Sequence, residues 1–407
     1  MKLIGDSMNL RSWFLVLILG FNTFIGYWNV FLPSPLIPFI TSDLGITTGQ
    51  ASMMMAISGG SGVVSLIGLI IWGPKIPRKW ILLFGMVTLT IGSFLMTATS
   101  NYEALLAIRL VNGVSDGILY SVCLILVSEY FHPDKRLLCI GILGLGSAAA
   151  GVVGVPLTLQ LLDQTDWQES FEIFAWISIS GVILTLFLPN RGYFELEVGS
   201  SSLGQVLRDK LLMKIAGANI LGDIAWYGSL TFLGSFLVAT YDPGINELAV
   251  FYAIASSGYV VGTLMFVGAV GESSSFEKRR MWAIGSSLFS AVMVAVFFSV
   301  TPAFYTTLAL GTIFAVGRAG GVTAMDDMII SIAENTATRI TTSAFASIVP
   351  GLAVMAAASV GGIVLDATAY KAIGIVFGVS AFGSLPLLMM LPGREEGAEG
   401  LEYATAG

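Results

Sequence analysis

Four charged residues interrupt stretches of sequence that are otherwise apolar: Arg109 and Asp116 in one stretch, Asp223 in another and Arg318 in a third. Charges inside a membrane are costly, and they usually mark a binding site or an ion pathway. A carboxylic acid in a low-dielectric cavity can load and release a proton, and a guanidinium presents a fork of donors that suits a carboxylate. We therefore predict proton coupling at Asp116 and Asp223, adjusted by Arg109, and binding of a substrate anion at Arg318.

Polar and aromatic residues recur at helical spacing around these charges. Arg109 and Asp116 are seven residues apart, so they share a helix face about 10 Å apart along the axis. Asn219, Asp223 and Tyr227 follow one another at intervals of four and form a second polar stripe. The predicted substrate-binding residues combine hydrogen-bonding and aromatic groups with one cation: Arg318, Asn22, Asn29, Asn219, Tyr227 and Trp226.

Structural roles remain open for several of these side chains. Arg109 and Asp116 can neutralise each other or hold their helix against a neighbour, and Asp223 can be a hydrogen-bonded carboxyl with no part in transport. Another set of acids lies near the predicted membrane surface, where gating salt bridges or simple solvation are favoured over substrate contact. This set comprises Glu129, Asp326, Asp327 and Glu334.

The composition indicates a membrane protein. Only 11% of the 407 residues are charged and 55% are hydrophobic, whereas about a quarter of the residues of a soluble domain are charged. The 47 glycines suit close helix packing in lipid, where small residues let backbones approach. The chain is therefore predicted to cross a lipid bilayer several times.

Twelve apolar stretches are long enough to span a bilayer, which takes about 20 residues each. Their predicted bounds are 12–40, 48–72, 79–99, 104–131, 136–162, 170–189, 211–240, 246–270, 281–300, 303–333, 340–365 and 370–391. The sequence thus predicts an all-α membrane protein with twelve transmembrane helices in two pseudo-symmetric six-helix bundles. An N-terminal bundle occupies 1–189, a cytoplasmic linker 190–210, a C-terminal bundle 211–392 and a disordered acidic tail 393–407.

The distribution of lysine and arginine predicts the orientation. If the N-terminus is cytoplasmic, all but three of the 19 basic residues lie on the cytoplasmic side, as expected for a multi-pass protein of an inner or plasma membrane. Lys371 alone lies outside, and Arg109 and Arg318 lie within the membrane. Both termini are therefore predicted to be cytoplasmic.

Several function classes are disfavoured by the sequence. No basic patch suits nucleic acid, and the single histidine, His132, argues against a histidine-rich metal site or proton relay. Cys123 and Cys139 both lie in apolar stretches, which makes a disulfide framework improbable. No nucleophile with an evident base indicates an enzyme, no cofactor is implied, and no ATP-binding loop is present. We expect a monomer driven by an ion or substrate gradient.

The two halves show signs of an internal repeat. Gly62 and Gly68 near the end of the second stretch recur as Gly262 and Gly268 in the eighth. Each pair is followed by a basic turn and a tryptophan. Such repeats typically place a binding site at mid-membrane between the halves.

These features resemble the major facilitator superfamily along almost the whole chain. The residues that carry the resemblance are Leu-Pro-Ser-Pro-Leu-Ile-Pro38, the arginine motif Arg109-Leu-Val-Asn-Gly113 with Asp116-Gly117, the glycine-rich fifth stretch and Asp166-Trp167. The resemblance implies that stretches 1, 4, 7 and 10 line a central cavity. The four deep charges fall on three of these, which supports a site there.

The resemblance also implies gating residues in two loops. After Gly68 the first loop has Trp72 where the family has an acid, and it keeps only Arg78 and Lys79 of the basic cluster. The loop in the second half keeps more of the pattern, and its candidate gating residues are Glu272, Arg279 and Arg280. Gly154-Val-Pro156 departs from the Gly-Pro pair of drug/proton antiporters.

Three functions are compatible with these residues. The first is a proton-coupled symporter, or another secondary transporter, that moves a small anionic or zwitterionic metabolite by alternating access. The second is proton-driven efflux of amphipathic or cationic compounds. The third is a receptor on the same scaffold that transports nothing.

Overall fold

Helices form every regular element in the part of the chain that the computed structural model describes, residues 9–73, 76–162, 166–190, 203–270, 275–332, 342 and 345–392. Twelve of them are long and apolar enough to cross a membrane, and we number these α1–α12. The predicted all-α class with twelve spanning helices is confirmed. The predicted tail and residues 191–202 of the predicted linker lie outside the described residues, and Leu203–Arg208 forms a short helix before α7.

The first six spanning helices are α1 (Leu10–Phe31, continued as Pro33–Leu44), α2 (Thr48–Trp72), α3 (Arg78–Thr97), α4 (Tyr102–Tyr130), α5 (Pro133–Ala149, a π-helical turn Ala150–Gly154, then Val155–Leu161) and α6 (Trp167–Leu186). The last six are α7 (Lys210–Tyr241), α8 (Ile245–Val270), α9 (Phe276–Ser299), α10 (Phe304–Ser331), α11 (Ile348–Ala367) and α12 (Tyr370–Met389).

Polar residues at the helix ends explain where several helices begin. Asn101 caps α4 by accepting the backbone N–H of Ala104 at 2.9 Å, and Thr47 forms a capping box with Gln50 at the start of α2. Helix α9 begins at Phe276 rather than at the predicted 281, because the cap at Ser275 lets the charged turn continue the helix beyond its apolar run. Apolar length alone predicts the membrane-embedded part of a helix.

The helices form two bundles with the same pattern of contacts. In the first, α4 packs against α1, α2 and α3, and α3 packs against α6; in the second, α10 packs against α7, α8 and α9, and α9 packs against α12. Between the bundles, α2 contacts α11, α5 contacts α8, and the second segment of α1 contacts α7. The same helix contacts thus hold each bundle together, and these three helix pairs make most of the contacts between the two bundles, whose buried apolar residues form a continuous core.

Charge separates the two ends of the molecule. The end where α1 begins, which we call the basic face, carries the described residues Arg11, Arg78, Lys79, Lys135, Arg136, Lys210, Lys214, Lys278, Arg279 and Arg280. The opposite end, the acidic face, carries Asp43, Glu103, Asp166, Glu169, Asp242, Glu247 and Asp366 together with Lys371. This segregation agrees with the pattern used to predict the orientation, and the cytoplasmic position of the basic face stays a prediction.

Near the acidic face, α2 and α11 join the two bundles. The Asp366 carboxylate, at the end of α11, accepts the Thr47 hydroxyl at 2.6 Å and the Gly49 N–H at 3.0 Å, so it satisfies donors at the start of α2. One turn deeper, the Ser52 hydroxyl donates to the Ala358 carbonyl at 3.0 Å. A Cβ at Gly49 would lie 2.3 Å from the Asp366 side chain, so this approach requires glycine.

The break in α1 adds a second contact between the halves. Pro33 cannot donate a backbone hydrogen bond, and the helix is interrupted at Leu32 before it continues from Pro33. In the second segment, the Ser34 hydroxyl contacts the Leu230 carbonyl of α7 and lies 2.9 Å from the Tyr252 hydroxyl of α8. The described halves are thus closed against each other near the acidic face.

Candidate functional site

Asp116 lies at the centre of a polar cluster in the first half. Its carboxylate accepts the Asn29 amide of α1 at 2.6 Å and the Ser58 hydroxyl of α2. Arg109 reaches the same hydroxyl through Nη2 at 3.3 Å. Among the described residues Arg109 and Asp116 form no direct ion pair, because Ser58 stands between them. The cluster joins three helices through one carboxylate.

Glycines on α4 bring Ser58 into this position. A Cβ at Gly113 would lie 1.9 Å from the Ser61 hydroxyl and 2.2 Å from the Ser58 carbonyl, and a Cβ at Gly117 would lie 2.2 Å from the Gly62 carbonyl. All three distances are far below contact, so α4 approaches α2 closely only because these residues have no side chain. The glycines of the arginine motif therefore assemble the Asp116 cluster.

A second cluster lies in the other half, around Arg318. Its Nη2 donates to Asp223 Oδ1 at 2.7 Å and to Asn219 Oδ1 at 3.3 Å. The Asn219 amide donates in turn to Asp326 Oδ1 at 3.0 Å. Gly222 makes room for the guanidinium, since a Cβ there would lie 2.6 Å from Arg318 Nη1. Asn219 therefore links the Arg318–Asp223 ion pair to the second carboxylate, Asp326.

Each cluster has one partly exposed carboxylate, and both clusters bury their cations. Arg109 and Arg318 are both 0% exposed, and Asp223 is only 2% exposed. Asp116 and Asp326, by contrast, are partly exposed. The Nε and Nη1 atoms of both arginines have no hydrogen-bond partner among the described residues, yet they are covered by the surrounding helices. The groups that a solute can reach are therefore acidic.

Four partly exposed tyrosines lie near the Asp326 carboxylate. Tyr27 of α1 and Tyr120 of α4 pack edge to face, with ring centroids 5.5 Å apart. Tyr259 of α8 stacks at 4.8 Å on Trp226 of α7, and Tyr227 of α7 is the fourth. Asp326 lies close enough to the hydroxyls of Tyr27 and Tyr120 to interact with them electrostatically, so tyrosines of one half lie near a carboxylate of the other.

Asn22 and Asn29 lie in different surroundings although they are seven residues apart. The Asn22 amide donates to the Thr185 hydroxyl of α6 at 2.8 Å, and the side chain is 0% exposed within the first half. Asn29 instead contacts Asp116. Of the predicted substrate-binding asparagines, Asn29 thus belongs to the Asp116 cluster and Asn219 to the Arg318 cluster, whereas Asn22 belongs to neither.

Asp326 differs from the expectation of an interfacial acid. Helices α7 and α10 run in opposite directions, so Asn219, one turn before Asp223, meets Asp326, two turns after Arg318. This pairing cannot be predicted from apolar length, which places Asp326 near the membrane surface. Ser58, Tyr120 and Tyr259 are not predicted either, and the only sequence signal for Ser58 is the run of small residues Ser58-Gly-Gly-Ser61.

The predicted gating residues make matching contacts within each half. Arg78 pairs with Glu129 at the end of α4 at 3.2 Å, and Arg279 pairs with Asp327 at the end of α10 at 2.9 Å. The basic residue that directly follows each of these arginines caps a helix end. Lys79 donates to the Leu186 carbonyl of α6 at 2.7 Å, and Arg280 donates to the Leu388 carbonyl of α12 at 3.0 Å. Glu272 lies outside the described residues.

Within the described residues, no His, Cys, Asp or Glu side chains cluster in a way that would hold a metal ion. Two six-helix bundles that meet around polar side chains are the architecture of a membrane transporter. A sequence model of the Major Facilitator Superfamily matches residues 19–274. Because this match covers more than half of the chain, the protein belongs to that superfamily. It is a multi-pass membrane transporter and not an enzyme, as the sequence predicted.

Relatives of similar length carry transporter names. A probable sugar efflux transporter of Haemophilus influenzae is 22% identical over 320 residues, 77% of this chain and 75% of that protein. A probable sugar efflux transporter of Helicobacter pylori is 25% identical over 281 residues, 68% of each chain. An uncharacterized MFS-type transporter of Bacillus subtilis, YfhI, is 24% identical over 371 residues, 87% of this chain and 88% of that protein.

Solved structures share the fold. A variant of the nucleoside transporter NupG superposes with a TM-score of 0.70 at 13% identity, covering 93% of this chain and 100% of that chain. A bacterial homolog of the human lysosomal transporter Spinster, in an inward-facing and unoccupied conformation, gives a TM-score of 0.70 at 14% identity over 95% of each chain. The predicted fold of two pseudo-symmetric six-helix bundles is confirmed.

Proposed function

We propose that the protein is a proton-coupled secondary transporter that exports a small, uncharged, hydroxyl-rich solute of the sugar class. The observation that carries this proposal is the composition of the space between the halves, where carboxylates and phenols are partly exposed and both guanidiniums are fully buried. The chemistry of these exposed groups selects both the solute and the coupling ion.

The prediction of an anionic solute, made from the sequence, is less well supported once the contacts of Arg318 are known. That prediction relied on an available Arg318, but this guanidinium already pairs with Asp223 at 2.7 Å and is 0% exposed. A substrate anion would have to displace Asp223, and it would approach past Asp326. Removing one partner from a buried ion pair leaves an uncompensated charge, which is strongly unfavourable.

A neutral polyol suits the same groups. Carboxylates and asparagine carbonyls accept hydrogen bonds from hydroxyls, phenols both donate and accept, and aromatic faces cover the apolar side of a ring. The exposed set of Asp116, Asp326 and the tyrosines offers these contacts from both halves. The names of the Haemophilus and Helicobacter relatives support the sugar class and the outward direction.

Asp116 and Asp326 are the proposed proton-binding carboxylates. Each is partly exposed, and each accepts a hydrogen bond from a neutral amide, Asn29 or Asn219. A neutral donor holds the carboxylate in place and favours its charged form less strongly than a directly paired cation would. Asp223 serves as the permanent partner of Arg318, and Arg109 acts on Asp116 through Ser58.

The closed acidic face supports alternating access, since in this proposal the site is loaded from the basic face. In the predicted orientation this is the cytoplasmic side, from which an exported solute is loaded. Rocking of the halves would then separate α2 from α11 near Asp366 and open the site to the outside.

The experiment uses the purified protein in lipid vesicles with radiolabelled neutral sugars. If export exchanges solute for protons, an acidic vesicle interior drives accumulation of the sugar, whereas an acidic exterior does not. Asp326→Asn and Asp116→Asn should abolish this accumulation but leave exchange of labelled for unlabelled sugar at equal pH. Glu103→Gln, an exposed carboxylate-to-amide change at the acidic face, is the matched control and should behave as wild type.

Two results would refute the proposal. Accumulation that persists in both Asp326→Asn and Asp116→Asn would show that neither carboxylate couples transport to protons. Absence of sugar exchange in the wild-type protein would exclude the sugar class.

A second candidate function is proton-driven efflux of amphipathic cations. The partly exposed Asp326 carboxylate near Tyr259, which stacks on Trp226, favours it, since aromatic faces and carboxylates both attract cations. Exchange of a labelled organic cation with no exchange of sugars would support this second function. Failure of both solute classes to exchange would favour the receptor hypothesis.

A further inference from the structure

The second half has a crevice on its outer surface, away from the central site. It lies between α8, α9 and α10 and has a volume of about 360 Å³. Met265 of α8 and Met281 of α9, both on its walls, are 54% and 56% exposed. Because these helices span the membrane, the crevice opens toward the hydrocarbon of the bilayer, where lipid chains are the surrounding solvent.

Small residues explain why this crevice exists. Gly262 brings α8 against α10, where a Cβ would lie 2.1 Å from the Val316 carbonyl, and Gly321 brings α9 against α10, where a Cβ would lie 2.1 Å from the Ser286 hydroxyl. Both outer helices therefore pack on α10. Gly285 lies on the crevice wall, and a Cβ there would meet nothing within 4 Å.

The crevice runs inward from the basic face. Its wall on α9 extends from Met281 to Phe289, eight residues or about 12 Å along the axis. Trp282, at the shallow end, lies at the depth where tryptophan is enriched in membrane proteins. The shape and depth suit one extended hydrocarbon chain that enters from the membrane surface.

Lys278 stands at the mouth of the crevice. It precedes Met281 and Trp282 by one helical turn, is exposed, and donates through Nζ to the Ala269 carbonyl of α8 at 2.7 Å. Ala269 follows Met265 by one turn, so this lysine bridges the two walls at the surface. Its neighbours Arg279 and Arg280 have carboxylate partners in Asp327 and Glu277, whereas a backbone carbonyl does not neutralise Lys278.

We propose that the crevice binds one acyl chain of an anionic phospholipid whose headgroup lies against Lys278. Position in the bilayer makes a lipid the occupant, and the basic mouth selects a negative headgroup, because each lysine near the membrane surface attracts anionic lipid. Val316 and Gly317, on the α10 wall, directly precede Arg318. The bound chain would therefore support the outside of the helix whose inner side carries the second cluster. This proposal does not depend on the identity of the transported solute.

The test measures the thermal stability of the purified protein in detergent as phosphatidylglycerol or phosphatidylcholine is added. Native mass spectrometry counts the lipids retained. The wild type should bind phosphatidylglycerol about fivefold more tightly than phosphatidylcholine, the preference expected from one lysine. Lys278→Gln should reduce this preference to none, and Gly285→Leu, which fills the crevice, should abolish retention of both lipids.

Gly268→Leu is the matched control. Gly268 is also exposed and a Cβ there also meets nothing within 4 Å, but it does not line the crevice, so this variant should bind lipid as wild type does. Equal binding of the two lipids by the wild type, or undiminished retention in Gly285→Leu, would overturn the proposal. Equal loss of retention in Gly268→Leu and Gly285→Leu would overturn it too, since the effect would then not be specific to the crevice.

Discussion

Asp223→Asn should destabilise the protein, because it removes the carboxylate that neutralises Arg318. The two side chains are 3% and 0% exposed and meet at 2.7 Å. Asparagine fills nearly the same volume and still accepts a hydrogen bond, so the substitution removes charge with little loss of packing. Asp326 does not replace Asp223, because it lies beyond Asn219 and bonds to that amide.

The magnitude follows from the burial of the pair. At an effective dielectric constant of about 20, two charges about 4 Å apart attract by about 4 kcal/mol. Removal of one partner from a buried pair costs about 3–5 kcal/mol. The hydrogen bond kept by asparagine returns about 1 kcal/mol. We therefore expect Asp223→Asn to lower the free energy of unfolding by about 3 kcal/mol.

A double-mutant cycle separates charge from packing. Unfolding is followed in mixed micelles of mild detergent and sodium dodecyl sulfate for Asp223→Asn, Arg318→Gln and the double variant, with Glu103→Gln as the control. The double variant should be more stable than Asp223→Asn alone, because it leaves no uncompensated guanidinium. If the two single effects simply add in the double variant, the charges are not coupled and the reasoning fails.

Two further predictions concern the contacts between helices. Asp366→Ala removes the acceptor of the Thr47 hydroxyl at the acidic face. It should raise the rate of maleimide labelling at Ser52→Cys about tenfold, the effect expected for loss of hydrogen bonds to a charged group. Unchanged labelling would show that Asp366 does not hold the acidic face closed. Gly117→Leu places a Cβ within 2.2 Å of a backbone carbonyl of α2 and should lower the melting temperature. Gly141→Leu is the control and should not lower it, because a Cβ there meets nothing within 4 Å. Equal effects of the two substitutions would refute the packing argument.

The number and position of the spanning helices could be predicted because the bilayer imposes them. A segment that crosses hydrocarbon must satisfy its backbone internally and be apolar over about 20 residues, and this leaves a strong signal in a single sequence. The start of α9 was displaced because the charged residues before Met281 continue the helix outside the hydrocarbon. Composition therefore identifies the membrane-embedded length, and capping residues decide where the helix begins.

The pairing of side chains between helices was harder to predict. Arg318 and Asp223 were assigned to different tasks, substrate binding and proton coupling, yet they bond to each other across 95 residues of sequence. Helical spacing shows which residues share a face of one helix, but not which helix that face meets. Asn22 and Asn29 illustrate this limit. They are seven residues apart on α1, yet Asn22 bonds to a side chain of α6 and Asn29 to a side chain of α4.

The positions of two glycines on α4 determine which side chains reach the Asp116 cluster. Gly113 and Gly117 occur in the motif that contains Arg109, but the reason becomes visible only when α2 is placed against them. Their lack of a side chain lets Ser58 reach Asp116 and Arg109 at once. A packing residue thus determines the surroundings of a charged one.

In the proposed mechanism, the arrangement of the two clusters would let the halves move without losing either cluster. The Asp116 cluster is built from α1, α2 and α4, and the Arg318 cluster from α7 and α10. Each set of hydrogen bonds is therefore internal to one bundle, and it would persist in the proposed rocking of the bundles as rigid bodies. What faces across the interface is the tyrosines and the exposed carboxylates, so in the proposed mechanism a solute bound between them contacts both halves. Contacts of this kind differ between the open and closed states, and only such differential contacts allow a ligand to shift the balance between two conformations.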